Sequence, residues 1–169
     1  MKRSIVPVLL LCVAGCIGNS NKIPLPFTDA QWELRTGTYE KNPLIVRLNR
    51  TLINFVGSLK YEVVASVALK QPNAEGLPSE TESASLKNLE NALSEKLDKS
   101  GLAVYAMSVT MDKKCDFVFF TNKKGAVNKV LSSMGFSNEG YPIDVKIKRD
   151  DKWTNYKWFH SFVGTKGWN

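Results

Sequence analysis

Histidine and cysteine are scarce in this sequence. Its 169 residues include one histidine, His160, and three cysteines, Cys12, Cys16 and Cys115. No P-loop, G-x-G-x-x-G, H-E-x-x-H, G-x-S-x-G or C-x-x-C motif occurs. The usual sequence support for a nucleotide-binding protein, a zinc peptidase, a serine hydrolase or a thioredoxin is therefore missing. We expect no metal ion and no cofactor.

Two pairs of side chains remain as catalytic candidates. Cys115 and His160 would form a nucleophile and its base, but the sequence places Cys115 in a hairpin turn and offers no third group to orient the histidine. Glu82 and Glu90 would form paired carboxylates, yet a helix cap explains Glu82 and a solvent-facing helix position explains Glu90. The sequence thus assigns no catalytic residue.

The first fifteen residues have the pattern of a secretory signal. Lys2 and Arg3 precede an apolar run at residues 5–13, and small residues follow, which is the order of charge, apolar core and cleavage site in an exported protein. The run is too short to cross a bilayer as a helix. Residues 13–16, V-A-G-C, resemble the bacterial lipobox, which implies a diacylglyceryl group on the Cys16 sulfur and cleavage just before it. An ordinary secreted protein cut nearby and an uncleaved anchor are the alternatives.

A lipid anchor on Cys16 predicts a location in the bacterial cell envelope. Several acyl chains bind a protein to the membrane far more tightly than one chain does, because each buried CH₂ contributes about 0.8 kcal/mol. Ile17 after the cysteine is not the aspartate that enteric bacteria read as an inner-membrane retention signal. We therefore expect a lipoprotein of the outer membrane that faces the periplasm.

A single domain is expected after the signal. Removal of residues 1–15 leaves 154 of the 169 residues, an ordinary length for one domain. Residues 16–29 are polar and contain prolines, as a short extended tether does, so order should begin near Gln31. Residues 30–169 form the domain. Because Cys115 has no obvious partner, we expect no disulfide.

The net charge is concentrated in the C-terminal part. Loss of the two basic signal residues lowers the net charge from +7 to +5, and residues 101–169 alone carry 11 basic and 6 acidic side chains. Such an excess favours anionic partners, among them lipid headgroups, polysaccharide or an acidic protein face. It is also explained by a solvated surface that aids solubility.

A turn and a long helix form the centre of the chain. Ser79 and Glu82 match the S-x-x-E capping box, in which the serine hydroxyl and the glutamate carboxylate satisfy backbone N–H groups of the first turn. Gly101 is suited to end the helix near Ser100. The apolar positions recur at helical spacing; they are Leu86, Leu89, Leu93 and Leu97.

Alternating apolar and polar residues predict strands around this helix. A hairpin is expected at Gln31–Tyr39 and Pro43–Asn49, and a second helix at Gly125–Met134. The further strands are Tyr61–Leu69, Leu102–Met111, Asp116–Thr121 and Ile143–Ile147, and Arg50–Leu59 fits neither period. From Lys60 the order is βαββαβ, which predicts an α+β, ferredoxin-like sandwich with an added N-terminal β-hairpin.

An aromatic segment follows the last strand, and it serves either to seal the open face of the sheet or to bind a ligand. The helical spacing of Trp153 and Tyr156 favours a structural role for both. Trp153, Tyr156 and Phe159 would alternatively form a stacking platform for a sugar or a peptide. Our hypothesis is that the later aromatics and their basic neighbours contact the partner; these residues are Trp158, Trp168, Lys152 and Lys157.

Several short motifs occur along the chain in a fixed order. They are Trp32-Glu33-Leu34, Gly76-Leu77-Pro78-Ser79 with Glu82, Leu86, Leu89, Glu90 and Leu93, Val104-Tyr105, Asp116-Phe117 with Phe119-Phe120, and Asp150 with Trp153 and Tyr156. Together these motifs resemble the bacterial family named domain of unknown function 695. Some members are joined to a domain similar to the regulator of ribonuclease E activity B. The resemblance implies no catalytic residue, and the export signal argues against a cytoplasmic role on RNA.

The function expected from these features is binding. We predict a lipid-anchored envelope protein that binds a protein or anionic glycan partner through its C-terminal aromatic segment, with no nucleic acid as partner. An envelope hydrolase and an inhibitor or immunity-type protein are the alternatives. A deep polar cleft that gathers acids or His160 would favour the hydrolase, whereas a shallow aromatic and basic surface would favour binding.

Overall fold

The computed structural model describes residues 23–25, 27–134 and 140–163, with side chains described as far as residue 161. The chain has an α+β fold, as the sequence predicts. Its strands are β1 (Trp32–Tyr39), β2 (Asn42–Asn49), β3 (Tyr61–Ala68), β4 (Val104–Met111), β5 (Lys114–Thr121) and β6 (Asp144–Arg149). Its α-helices are α1 (Glu80–Leu97), α2 (Lys124–Met134) and α3 (Thr154–Val163). A short 3₁₀ helix occupies Arg50–Phe55, the stretch whose periodicity is ambiguous.

All six strands pair antiparallel in one sheet, in the order β1-β2-β4-β5-β3-β6. The predicted N-terminal hairpin is present as β1 and β2, and its second strand pairs with β4. β5 lies between β4 and β3, which explains why its side chains are apolar on both faces. β1 and β6 form the two edges.

The β1–β2 and β4–β5 hairpins each have a two-residue turn. Glu40 and Lys41 have φ of 49° and 72°, and Asp112 and Lys113 have φ of 51° and 60°. Two successive positive φ values are the geometry of the turn that matches strand twist in a two-residue hairpin.

The expected position of Cys115 in the second turn is therefore wrong. Because the turn needs only two residues, β5 already begins at Lys114. Cys115 lies in this strand with 3% of its surface exposed, and its Sγ accepts a hydrogen bond from Thr110 Oγ1 at 3.4 Å. Burial raises the pKa of the Cys115 thiol to about 12, so the thiol is protonated at neutral pH and weakly nucleophilic.

α1 covers one face of the sheet and closes the first of two cores. Its leucine stripe is buried on that face, where Leu89, Leu93 and Leu97 are each 0% exposed. The helix begins after Ser79, whose side chain accepts a hydrogen bond from the Glu82 backbone N–H at 3.3 Å. At 18 residues, α1 is roughly 27 Å long, about the length of a strand of the sheet.

Glu82 departs from the expected capping box. Its carboxylate accepts hydrogen bonds from the backbone N–H groups of Lys70 and Gln71 and from the Tyr141 hydroxyl. The side chain therefore ties the first turn of α1 to the loop after β3 and to the segment before β6. A buried carboxylate needs such donors because burial without them is costly. The sequence pattern did not reveal this role.

The opposite face of the sheet carries the second core. α3 and the 3₁₀ helix cover it, and its fully buried side chains include Leu48, Leu52 and Phe120. Ile23 and Phe27 are each only 8% exposed and belong to this core. Ordered packing thus begins before the expected start at Gln31. The described residues thus enclose two hydrophobic cores, and a core of its own is a general feature of a domain.

Candidate partner-binding groove

α3 begins at a carboxylate cap. Asp150 Oδ2 accepts from the Thr154 backbone N–H at 2.8 Å, and Asp150 Oδ1 accepts from Thr154 Oγ1 at 3.1 Å. Trp153, just before the helix, has a φ of 51°, a conformation that costs a non-glycine residue energy unless packing holds it. Its indole Nε1–H donates to the Leu59 carbonyl at 2.7 Å. The start of α3 is therefore fixed by both polar and apolar contacts.

Trp153 and Tyr156 lie in the second core. Both are 0% exposed. The Tyr156 hydroxyl donates to the Asn49 carbonyl at 2.8 Å, and burial raises the pKa of that hydroxyl. The Trp153 ring is parallel to Phe120 and in contact with it. Neither side chain is available to a partner, so neither belongs to a stacking platform.

A groove of about 370 Å³ opens between α3 and the sheet. Its lining combines the outer side of α3 with the ends of β1, β2 and β4. Carbon atoms dominate this lining, and Thr154 and Asn155 supply the hydroxyl and amide groups. The lining residues are Tyr39, Leu44, Met111, Thr154, Asn155, Trp158 and Phe159.

Tyr39 and Trp158 form the exposed rim of the groove. Their ring centroids are 5.4 Å apart and their planes meet at 84°, the edge-to-face arrangement that aromatic quadrupoles favour. Tyr39 is 38% exposed and Trp158 is 42% exposed. A second edge-to-face contact joins Trp158 to Phe159 at 4.7 Å. Solvent therefore reaches a row of three aromatic rings.

An ion pair between a buried carboxylate and a half-exposed lysine supports the polar side of the groove. Glu62 is 0% exposed, and its carboxylate accepts from Asn155 Nδ2 at 3.1 Å and pairs with Lys148 Nζ at 2.8 Å. The Asn155 side chain, which lines the groove, is thereby held to β3. Fixed polar groups of this kind orient a ligand in a site that is mostly apolar.

The structure brings only part of the predicted partner site into the groove. Trp158 is one of its lining residues. Lys152 and Lys157 are exposed, but both lie outside the set of residues that line it. Trp168 and the lipidation candidate Cys16 are outside the described residues.

Sequence reasoning missed the half of the groove that the sheet contributes. Tyr39 ends β1, and Leu44 and Met111 are directly paired across β2 and β4. These residues meet α3 only because the N-terminal hairpin extends the sheet beneath that helix. The one local signal is a large aromatic residue, Tyr39, directly before a polar turn. This signal does not identify Trp158 as its neighbour.

The catalytic candidates are dispersed. Cys115 belongs to the first core, whereas His160 lies on α3 beside Tyr156 on the other face. Burial lowers the pKa of His160, with a further contribution from Arg50. The two side chains are therefore on opposite sides of the sheet and cannot act as a nucleophile and its base.

The acidic candidates are likewise engaged at separate places. Glu82 lines a small pocket of about 260 Å³ and is held there by the three donors described above. Glu90 pairs with Arg47 and Lys87. Asp116, a further acidic side chain on β5, accepts from Ser66 Oγ at 2.6 Å. Among the described residues, no group of three or more His, Cys, Asp and Glu side chains is placed to hold a metal ion.

These features describe a small α+β domain with a preformed aromatic groove at its surface. The chain matches the family described as "Family of unknown function (DUF695)" over residues 30–161, and it belongs to that family. The family resemblance seen in the sequence motifs is thus confirmed. No curated protein matches the chain, and no solved structure matches it. None of the helices in the described ranges is long and apolar enough to cross a membrane.

Proposed function

We propose that this protein is a non-catalytic binding module, anchored in the bacterial cell envelope by a lipid on Cys16, that holds a partner in the aromatic groove. The exposed pair of Tyr39 and Trp158 is the observation that carries the proposal. Contiguous exposed apolar surface often marks an interaction site, and Trp and Tyr are enriched among the residues that carry binding energy. In this groove they adjoin a concave apolar surface of a size that suits one or two partner side chains.

A protein is the partner that the groove chemistry favours. Leu44, Met111 and Phe159 offer mainly carbon atoms, which suit an aliphatic or aromatic side chain. Recognition of a glycan would need several polar groups around each sugar ring. In this groove Thr154 and Asn155 supply polar groups beside a mainly apolar lining. A glycan stacked on Trp158 is therefore the second candidate.

The separation of the acidic and thiol groups argues against the envelope hydrolase. Glycoside hydrolysis by two carboxylates requires them within about 5–9.5 Å of each other around one bond. Glu82 and Glu90 are eight positions apart in sequence, which corresponds to roughly 12 Å along α1, and each is held by its own donors. Anchoring and binding are compatible with an inhibitor or immunity-type role, whose target would occupy the same groove.

We further propose that residues from β3 to β6 form a ferredoxin-like unit to which the N-terminal hairpin is added. The strand order β4-β5-β3-β6 and the alternation of these strands with α1 and α2 support this assignment. The hairpin continues the sheet beyond β4, and it contributes Tyr39 and Leu44 to the groove. Under this proposal the binding surface is created by an addition to a common fold.

Affinity capture from envelope extract tests the binding proposal. The soluble domain is immobilised, bound proteins are identified by mass spectrometry, and purified envelope glycans are tested in parallel. We expect Trp158→Ala and Tyr39→Ala each to reduce capture of the partner at least tenfold. Leu34→Ala is the matched control, because Leu34 is 64% exposed and lies on the opposite face of the edge strand. Equal capture by all variants would place the partner elsewhere.

A further inference from the structure

The N-terminal segment joins the domain at one end of the sheet. Leu25 packs on Gly101, where an added Cβ would lie 3.7 to 3.8 Å from Leu25 atoms. The Phe27 ring lies 5.6 Å from Phe55. Gly101 is in the loop before β4, and this end of the sheet is also where β5 finishes and β3 begins. The chain from the proposed anchor therefore arrives at a defined end of the molecule.

Three exposed lysines surround this arrival point. Lys123 Nζ donates to the Gly101 carbonyl at 2.9 Å, so it is adjacent to the residue on which Leu25 packs. Lys124 Nζ lies 5.8 Å from the centroid of the Tyr61 ring, and the Lys60 backbone N–H donates to Asn122 Oδ1. We call the surface formed by Lys60, Lys123 and Lys124 the lysine end.

Three acidic groups near the lysine end are engaged by other residues, and a fourth, Asp98 beside Gly101, is partly buried with its pKa raised to about 6. Asp150 caps α3, Asp151 pairs with Arg149, and Glu95 pairs with Lys99 at 2.7 Å. Within the described ranges, none of the three lysines of the lysine end forms an ion pair with a carboxylate. Lys60 lies near enough to Asp151 to help lower the pKa of that carboxyl, but Asp151 is already paired with Arg149. The three ammonium groups therefore keep positive charge for an external anion.

The other end of the sheet lacks such an excess. It includes the hairpin turns Glu40–Lys41 and Asp112–Lys113, each with one acidic and one basic residue, and the loop after β3, whose Leu69 N–H donates to the Lys113 carbonyl. We call this surface the turn end. Since a strand of eight residues is roughly 26 Å long, the two ends are separated by more than the Debye length of about 8 Å at physiological salt.

The distance to the anchor determines which end faces the membrane. Seven residue steps separate Cys16 from Ile23, and they span at most roughly 25 Å. An anchored domain must therefore keep the lysine end close to the lipid surface. We propose that the lysine end binds anionic phospholipid headgroups and holds the domain upright on the membrane. This inference rests on the proposed anchor at Cys16.

The orientation has a consequence for the aromatic groove. Tyr39 and Met111 lie next to the two hairpin turns, so the groove opens near the turn end. With the lysine end on the lipid, the Tyr39 and Trp158 rim points away from the membrane. A partner in the periplasm or on a facing surface then has access to it.

Vesicle co-sedimentation of residues 23–169 tests the lipid contact without the anchor. The probes are phosphatidylcholine vesicles with and without 30% phosphatidylglycerol. We expect binding only to the anionic vesicles and its loss at high salt. Because each lysine near an anionic surface contributes about fivefold to binding, the triple variant Lys60→Gln, Lys123→Gln, Lys124→Gln should bind on the order of a hundredfold more weakly.

The matched control is a second triple variant, Lys41→Gln, Lys113→Gln and Lys146→Gln, whose substitutions lie away from the lysine end. It has the same net charge as the first triple variant. It should bind within about twofold of the unchanged domain. Equal weakening of both triple variants, or no binding of the unchanged domain to anionic vesicles, would overturn the proposal. Failure of the anchor is a separate result, because it is measured by labelled palmitate on the full chain with and without Cys16→Ser.

Discussion

The indole ring of Trp153 stacks on the ring of Phe120, with centroids 3.9 Å apart and planes only 7° from parallel. Phe120 belongs to the interior strand β5, so this contact fixes the start of α3 to the middle of the sheet. Three residues later, Tyr156 continues the same buried face. The remaining face of α3 is left to line the groove.

The first prediction concerns stability. Trp153→Ala should lower the free energy of unfolding by about 3–5 kcal/mol, because it removes a fully buried indole and leaves a cavity. Trp158→Ala should change it by less than about 1 kcal/mol, because that side chain is largely at the surface. Urea unfolding followed by circular dichroism measures both. A cost for Trp158 equal to that for Trp153 would show that the groove rim is part of the core.

The second prediction concerns pH. Burial raises the pKa of Asp98, which follows the last turn of α1, to about 6, and a hydrogen bond with the Tyr105 backbone and the charge of Lys99 offset this only in part. Since the carboxyl is easier to ionise in the unfolded chain, its contribution to stability is present below about pH 4 and is lost as the pH rises through 6. Asp98→Asn should therefore gain stability relative to the unchanged protein as the pH increases.

The size of this effect is on the order of 1 kcal/mol between pH 4 and pH 7, after allowance for the partial exposure of the carboxyl. Urea midpoints of both proteins at pH 4, 5, 6 and 7 provide the measurement. A difference between the two proteins that stays constant over this range would mean that the Asp98 pKa is not raised.

The third prediction concerns the anchor. Cys16→Ser should release the protein from the membrane fraction and abolish incorporation of labelled palmitate, because the thiol is the proposed attachment point. Cys115→Ser is the matched control, since the Cys115 thiol is buried and should leave both readouts unchanged. Continued labelling of the Cys16→Ser protein would locate the acyl group elsewhere or refute lipidation.

The sequence predicts the elements whose signals are local. The leucine stripe of α1 and the serine cap at Ser79 depend on residues within a few positions of each other, and both are found where expected. Both strands of the second hairpin are also predicted, although β5 begins at Lys114 and not at Asp116. Alternation along a strand also places Cys115 in β5, because Cys115, Phe117 and Phe119 alternate onto one face of that strand.

The groove could not be predicted in this way. Tyr39 and Trp158 are 119 positions apart in sequence, and their contact depends on the packing of an added hairpin beside β4 and on the direction of α3. The packing of Ile23 and Phe27 is also nonlocal, since isolated apolar residues among prolines look like a linker. Burial of such residues is decided by tertiary contacts that no local period encodes.

Site-specific photocrosslinking in living cells tests the groove as the partner site most directly. A photoreactive phenylalanine analogue replaces Tyr39 in one variant and Leu34 in another, both in the full chain that contains Cys16. We predict a discrete crosslinked product from position 39 that is lost when Trp158→Ala is added, and none from position 34. Absence of a product at position 39, or an identical product at position 34, would contradict the proposal that the aromatic groove binds the partner.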